Sequence, residues 1–232
     1  MRRIQQKSHF QTYLNKGIME RRNYSMIIEP LLMFGTEEKH IICKQCGKEI
    51  DIPATITVEE FSKLPSYLDG FKKGMEEKYF EYKFFGCDNC GWLLKAPYFH
   101  SCVYGNEPSK EIKKILESDI DIIEKRFLIS YMMQPNKLNN VLELYWYYDI
   151  KAKNKEKASL YRKLLINFIK KEVKTQIGFN MYQLLYIDLL RRDRQFKKAT
   201  KLIEDYLKFA SLKKPILEQQ LTLCKEENTD RH

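Results

Sequence analysis

Glycine and proline are scarce in these 232 residues, 9 and 7 in all, and they concentrate in the first half of the chain. That asymmetry predicts a turn-rich segment followed by a helix-rich one. No run of about 18 apolar residues occurs, which excludes a membrane-spanning helix of the usual kind. The longest apolar stretch near the start, Met26 to Phe34, is interrupted by Glu29 and Pro30, so no secretory leader is expected. Only four histidines are present, His9, His40, His100 and His232, and they are scattered. There is no Walker loop, no H-E-x-x-H, no G-x-S-x-G and no dinucleotide fingerprint. A coherent catalytic set is therefore missing, and a non-enzymatic role is expected.

What the sequence does contain is two matched cysteine units. One reads Cys43-Lys44-Gln45-Cys46-Gly47 and the other Cys87-Asp88-Asn89-Cys90-Gly91. Two thiolates separated by two residues grip one metal ion only if the chain turns back sharply. The glycine after each second cysteine tolerates the positive φ that such a turn needs. Two such knuckles supply four sulfurs at about 2.3 Å from one ion, a closed tetrahedral site with no open position. Four soft thiolates favour Zn²⁺, with iron the main competitor. The expected ligands are Cys43, Cys46, Cys87 and Cys90, and the expected cofactor is a structural zinc ion. His40, His100 and Cys102 lie near the pairs in sequence as alternative ligands. Six cysteines with four in such units point to a reducing compartment, so a cytoplasmic location is expected.

Hydropathy patterning divides the chain into three parts. Residues 1–38 are a basic arm in which Arg2, Arg3, Lys7, Lys16, Arg21 and Arg22 dominate. Residues 39–106 read as a β-rich zinc-ribbon domain. Its expected features are strands into and out of the first pair, a short helix capped by Thr57, a strand from Lys78 to Phe85, and another from Trp92 to Leu94. Residues 107–232 read as helical, with apolar positions in steps of three and four. Ser109 caps the first helix, which runs through Leu128 to a break at Pro135. Asn154 caps the third, Gly178 and Asn180 mark a further break, and Pro215 opens the last, beyond which a frayed tail is expected from Glu226. The fold class is α+β: a ribbon followed by an antiparallel helical array. Leu190, Ala199 and Ile203 fit part of a tetratricopeptide-type hairpin. Ala158 would hold the corresponding place one hairpin earlier, but the 41 residues from Ala158 to Ala199 exceed the usual repeat of about 34, so a nonrepetitive helical bundle is the alternative.

The order of these parts resembles an uncharacterised bacterial family of zinc-ribbon proteins with a tetratricopeptide-like second half. The stretch Tyr186 to Ala199 looks like that family's penultimate hairpin. The first part also resembles the presumed ribbons named for a CpXC motif, although Lys44 and Asp88 stand where that motif has proline. The resemblance implies the fold and the metal and brings no reaction with it.

Charge separates two functional readings. The net charge is +10. Residues 1–106 hold 15 Lys+Arg against 13 Asp+Glu and the remainder 26 against 18, so the excess lies in the helical half. The first reading is an adaptor that binds a protein partner through its ribbon and helical surfaces. The second is nucleic-acid binding through the basic helices. Its candidate residues are Lys157, Arg162, Lys163, Lys170 and Lys171 in one run, and Arg191, Arg192, Arg194, Lys197 and Lys198 in the next.

Overall fold

The computed structural model describes residues 39–43, 45–52, 65–76, 78–95, 100–101, 108–133, 138–175, 180–209 and 213–232. The basic arm, the Thr57 helix and Cys102 lie outside them. The fold is α+β and mainly helical, with two small antiparallel sheets. Strands β1 (Lys39–Ile42) and β2 (Glu49–Ile52) form a hairpin around the first cysteine unit, with His40 opposite Asp51. Strands β3 (Phe84–Gly86), β4 (Leu93–Lys95) and β5 (His100–Ser101) form the second sheet, in that order, around the second unit.

The strand expected from Lys78 to Phe85 is corrected. Lys78–Lys83 is a helix, α1, and only Phe84 onward is extended. Tyr79, Phe80, Lys83 and Phe84 are buried while Glu81 is exposed. A strand would put residues 79, 81 and 83 on one face, whereas a helix turns residue 81 away from 79 and 83. The pattern of burial is helical although the aromatic content suits a strand.

Strand β3 divides the interior in two. Successive strand residues point to opposite faces. Phe84 enters the large helical core beside Phe127, at a ring separation of 4.8 Å, while Phe85 enters a smaller core with Trp92, Leu93 and the cysteines. The residues before it also belong to the helical core. Phe71 lies edge-on to Trp146 at 5.3 Å and stacks on Phe80 at 5.6 Å. Phe71, Met75, Tyr79, Phe80 and Phe84 thus belong to the helical half, and the chain passes to the cysteine-lined half at Phe85.

The remaining helices are α2 (Lys110–Glu117), α3 (Ile122–Met133), α4 (Leu138–Trp146), α5 (Lys155–Thr175), α6 (Met181–Arg192), α7 (Phe196–Leu207) and α8 (Lys214–Lys225), with a single π-type turn, Tyr147–Lys151, after α4. Ser109 caps α2 through the Ile112 N–H, and Asn154 accepts from Lys157 N–H at the start of α5. Asn180 and Gln183 form a reciprocal capping box on α6. The single helix expected from Ser109 to Leu128 is two. Ser118 Oγ donates to the Ile115 carbonyl, and the Asp121 carboxylate accepts from the N–H groups of Ile123 and Glu124, so local side chains end one helix and start the next. Neighbouring helices from α2 to α8 pack on one another, except that α7 and α8 also enclose α6. Every residue from Gln183 to Arg192 is buried, which makes α6 the centre of the helical half.

Candidate metal centre and a buried ion network

The two cysteine units fold alike. In the first, Cys43 N–H donates to the Lys48 carbonyl at 2.8 Å and Gly47 N–H to the Cys43 carbonyl at 2.9 Å. In the second, Cys87 N–H donates to Trp92 O at 2.7 Å and Gly91 N–H to Cys87 O at 2.8 Å. Both glycines take the left-handed conformation, Gly47 at φ 74° and Gly91 at φ 75°, as the spacing predicts. The Lys48 N–H points at the Cys46 sulfur and the Trp92 N–H at the Cys90 sulfur, again at matching positions.

The four sulfurs converge within 4.8 Å of one another. Cys43 and Cys90 Sγ are 3.5 Å apart and Cys46 and Cys87 Sγ 3.4 Å apart. Those separations are far too long for disulfides, which need about 2.05 Å. They approach the edge of about 3.8 Å that four sulfurs at 2.3 Å from a central ion would share. The donor set therefore fits a single soft metal ion, and the group holds four thiols without His40. That histidine instead meets Asp51 across the hairpin at 2.6 Å. His100 lies on β5 opposite Lys95.

The thiols are not equivalent. Cys46 is exposed, and its pKa is pulled down to about 6 by the Asn89 side chain and the Lys48 N–H. Burial pushes the Cys87 and Cys90 thiols up. A cation at the centre would hold all four as thiolates. The second knuckle is also bound to the helices. A Cβ placed on Gly91 would come within 3.0 Å of Ile112 Cγ2 and 3.4 Å of Leu116 Cδ1. Arg126 on α3 meets Asp88 at 3.3 Å.

The ten basic candidates separate by environment. Lys163, Lys170, Lys171, Arg194, Lys197 and Lys198 are exposed. Lys157 pairs with Glu124 at 2.7 Å and lies over the Tyr148 ring, and half-buried Arg162 meets Asp193 at 3.4 Å. Arg191 and Arg192 are corrected as phosphate-binding candidates, since both are buried, Arg191 with 0% of its surface exposed. A guanidinium enclosed on α6 offers no charge to an external phosphate.

These two arginines belong to an ion network that sequence reading missed. Arg191 donates to Asp188 at 2.7 Å, to Gln220 at 3.0 Å and to the Asp230 carbonyl at 2.9 Å. Arg192 forks onto both oxygens of Asp149 at 3.0 and 2.9 Å and touches the Tyr145 hydroxyl. Arg231 bridges Asp149, at 2.7 Å, and Asp69. Trp146 Nε1 donates to Asp69 at 3.1 Å, and Leu68 N–H donates to the His232 carbonyl at 2.7 Å. Residues 228–232 are therefore fastened into the fold, in contrast to the expected frayed tail. The sequence signal was a charged i, i+3 pair, Asp188 and Arg191, on a helix apolar on all sides, because charges there must be paired inside.

Among the described residues no helix is long and apolar enough to cross a membrane. Comparisons with protein-family models, curated proteins and solved structures gave no match to this chain.

Proposed function

We propose that Cys43, Cys46, Cys87 and Cys90 bind one zinc ion as a structural centre. On this reading the protein is a non-enzymatic adaptor, whose ribbon and tetratricopeptide-like antiparallel helices present surfaces to a protein partner. The convergence of four thiols within 4.8 Å carries the reading. Four protein ligands close a tetrahedron and leave no position for a substrate or an activated water. The ion would supply cross-linking of two knuckles 40 residues apart in sequence and polarisation of nothing else. Gly91 against Ile112 and Leu116 then transmits that cross-link to the helices. Leu160 and Phe209, both 62% exposed, are apolar side chains available to a partner on the helical half. The test is cross-linking and mass analysis of the zinc-loaded protein in native extract. The adaptor reading expects a specific protein that is lost with Leu160→Asp or Phe209→Asp. A chain that recovers no protein with either surface intact contradicts it.

A second reading is nucleic-acid binding through the basic helices. It is favoured by the exposure of Lys163, Lys170, Lys171, Arg194, Lys197 and Lys198. It expects RNA or DNA affinity that falls steeply as salt rises, because bound phosphates release counterions. Affinity that ignores salt contradicts it.

A further inference from the structure

The Arg231 guanidinium sits in a formed receptor. Its Cζ lies 5.3 Å from the Tyr67 ring centre and 5.9 Å from those of Phe71 and Tyr145. Its nitrogens meet the carboxylates of Asp149 and Asp69. Asp149 is carried on the π-type turn Tyr147–Lys151, a local distortion that is frequent at functional sites. A planar cation between ring faces and carboxylates is the arrangement that selects guanidinium over ammonium, since guanidinium stacks, forks onto carboxylates and is weakly hydrated.

The segment that delivers Arg231 is held by polar contacts. Arg191 and Arg192 grip the carbonyls of Asn228, Thr229 and Asp230, and Leu68 grips that of His232. Asn228, Thr229, Asp230, Arg231 and His232 bring no aliphatic side chain into the core. Lifting them uncovers the rings of Tyr67, Phe71 and Tyr145 and breaks the pairs of Arg231 with Asp69 and Asp149, contacts that an arginine entering from a second chain would remake. It also unbalances the interior. Among the described residues, Asp69, Asp149 and Asp188 then keep Arg191 and Arg192 as their cationic partners, and an uncompensated buried carboxylate takes up either a proton or a cation.

We propose that this pocket is a receptor for an arginine side chain, filled in cis by Arg231 and open to an arginine of a second polypeptide when residues 228–232 lift away. The proposal names a partner chemistry for the adaptor reading and rests on that reading only for the source of the incoming arginine.

The test uses the full chain carrying Arg231→Ala, with methylguanidinium and methylammonium as probes. The variant melts below the wild type, and methylguanidinium raises its midpoint by about 2–4 °C at saturating excess. Methylammonium does not, the wild type responds to neither, and adding Asp149→Asn removes the response. If the variant is unfolded alone, methylguanidinium restores its near-ultraviolet circular dichroism. Equal responses to the two cations, or no response, overturn the proposal. A labelled peptide copying residues 228–232 then binds the variant at least about tenfold more tightly than its Arg-to-Lys form. Equal affinities of the two peptides, or no binding of either, overturn exchange in trans. Failure here in a protein that holds zinc removes only this partner chemistry. A full response in a protein that binds no zinc removes the metal centre instead.

Discussion

Replacing Arg191 by Met separates a structural role for the basic run from a surface one. Arg191 is fully enclosed, and its guanidinium is the cation facing Asp188, itself 2% exposed. Met matches the length of the stem and removes the charge, leaving the buried Asp188 carboxylate with the Gln220 amide at 3.2 Å as its side-chain hydrogen-bond donor among the described residues. Breaking one side of a buried pair costs about 3–5 kcal/mol. For a chain of this length that lowers the melting midpoint by roughly 6–20 °C. The variant also loses the contacts to Asn228 and Asp230, so residues 228–232 become accessible to protease. A second change, Asp188→Asn, removes the stranded charge and keeps an acceptor for Gln220. The double variant therefore melts above the Arg191→Met single. Calorimetry on the four proteins measures this cycle, with Lys163→Ala as the exposed control, expected within about 0.5 kcal/mol of wild type. An Arg191→Met protein as stable as the Lys163→Ala control would refute the reasoning. So would losses in the double variant that simply add.

Two further outcomes follow from the cysteine knuckles and the network. Gly91→Ala should destabilise more than Gly47→Ala by denaturant titration. Both force a side chain into a left-handed backbone at about 1 kcal/mol, and Gly91 alone also crowds Ile112 and Leu116, whereas Gly47 has nothing within 4 Å. Equal losses would contradict the close packing of the second knuckle on α2. Burial pushes the Asp149 carboxyl up, but Arg192 and Arg231 outweigh it and hold it below its ordinary 3.8. The folded state then binds fewer protons than the unfolded one, so this stabilisation is complete above 3.8 and drains as pH falls through the folded value. The midpoint gap between wild type and Asp149→Asn should narrow in that acid range and stay constant from pH 5 to 7. A gap that widens on acidification would reverse the sign and contradict the pairing.

The parts of this molecule that were legible in the sequence are those where a residue type has one local job. Cys-x-x-Cys-Gly fixes ligand spacing and a left-handed turn, and both knuckles close as that pattern requires. Ser109, Asn154 and Asn180 each end a backbone that lacks helical partners, so helix starts were readable. Lys78 to Lys83 was not, because its aromatics suit either a strand or a helix and only tertiary contacts with Phe71, Phe127 and Trp146 decide between them. Arg191 and Arg192 misled for a related reason. A run of charges names its sign but not its orientation, and burial of α6 beneath α5, α7 and α8 depends on contacts remote in sequence. The anchoring of residues 228–232 was hidden likewise, since Asp69 and Arg231 meet across 162 positions (231 against 69).

The most direct test of the metal centre is the metal content of the purified full chain, measured by elemental analysis alongside titration of its accessible thiols. One zinc per chain is expected, with Cys43, Cys46, Cys87 and Cys90 protected until a chelator is added, and loss of that zinc in Cys43→Ser and Cys87→Ser. A folded chain without stoichiometric metal, whose Cys46 thiol reacts equally with and without chelator, would contradict it.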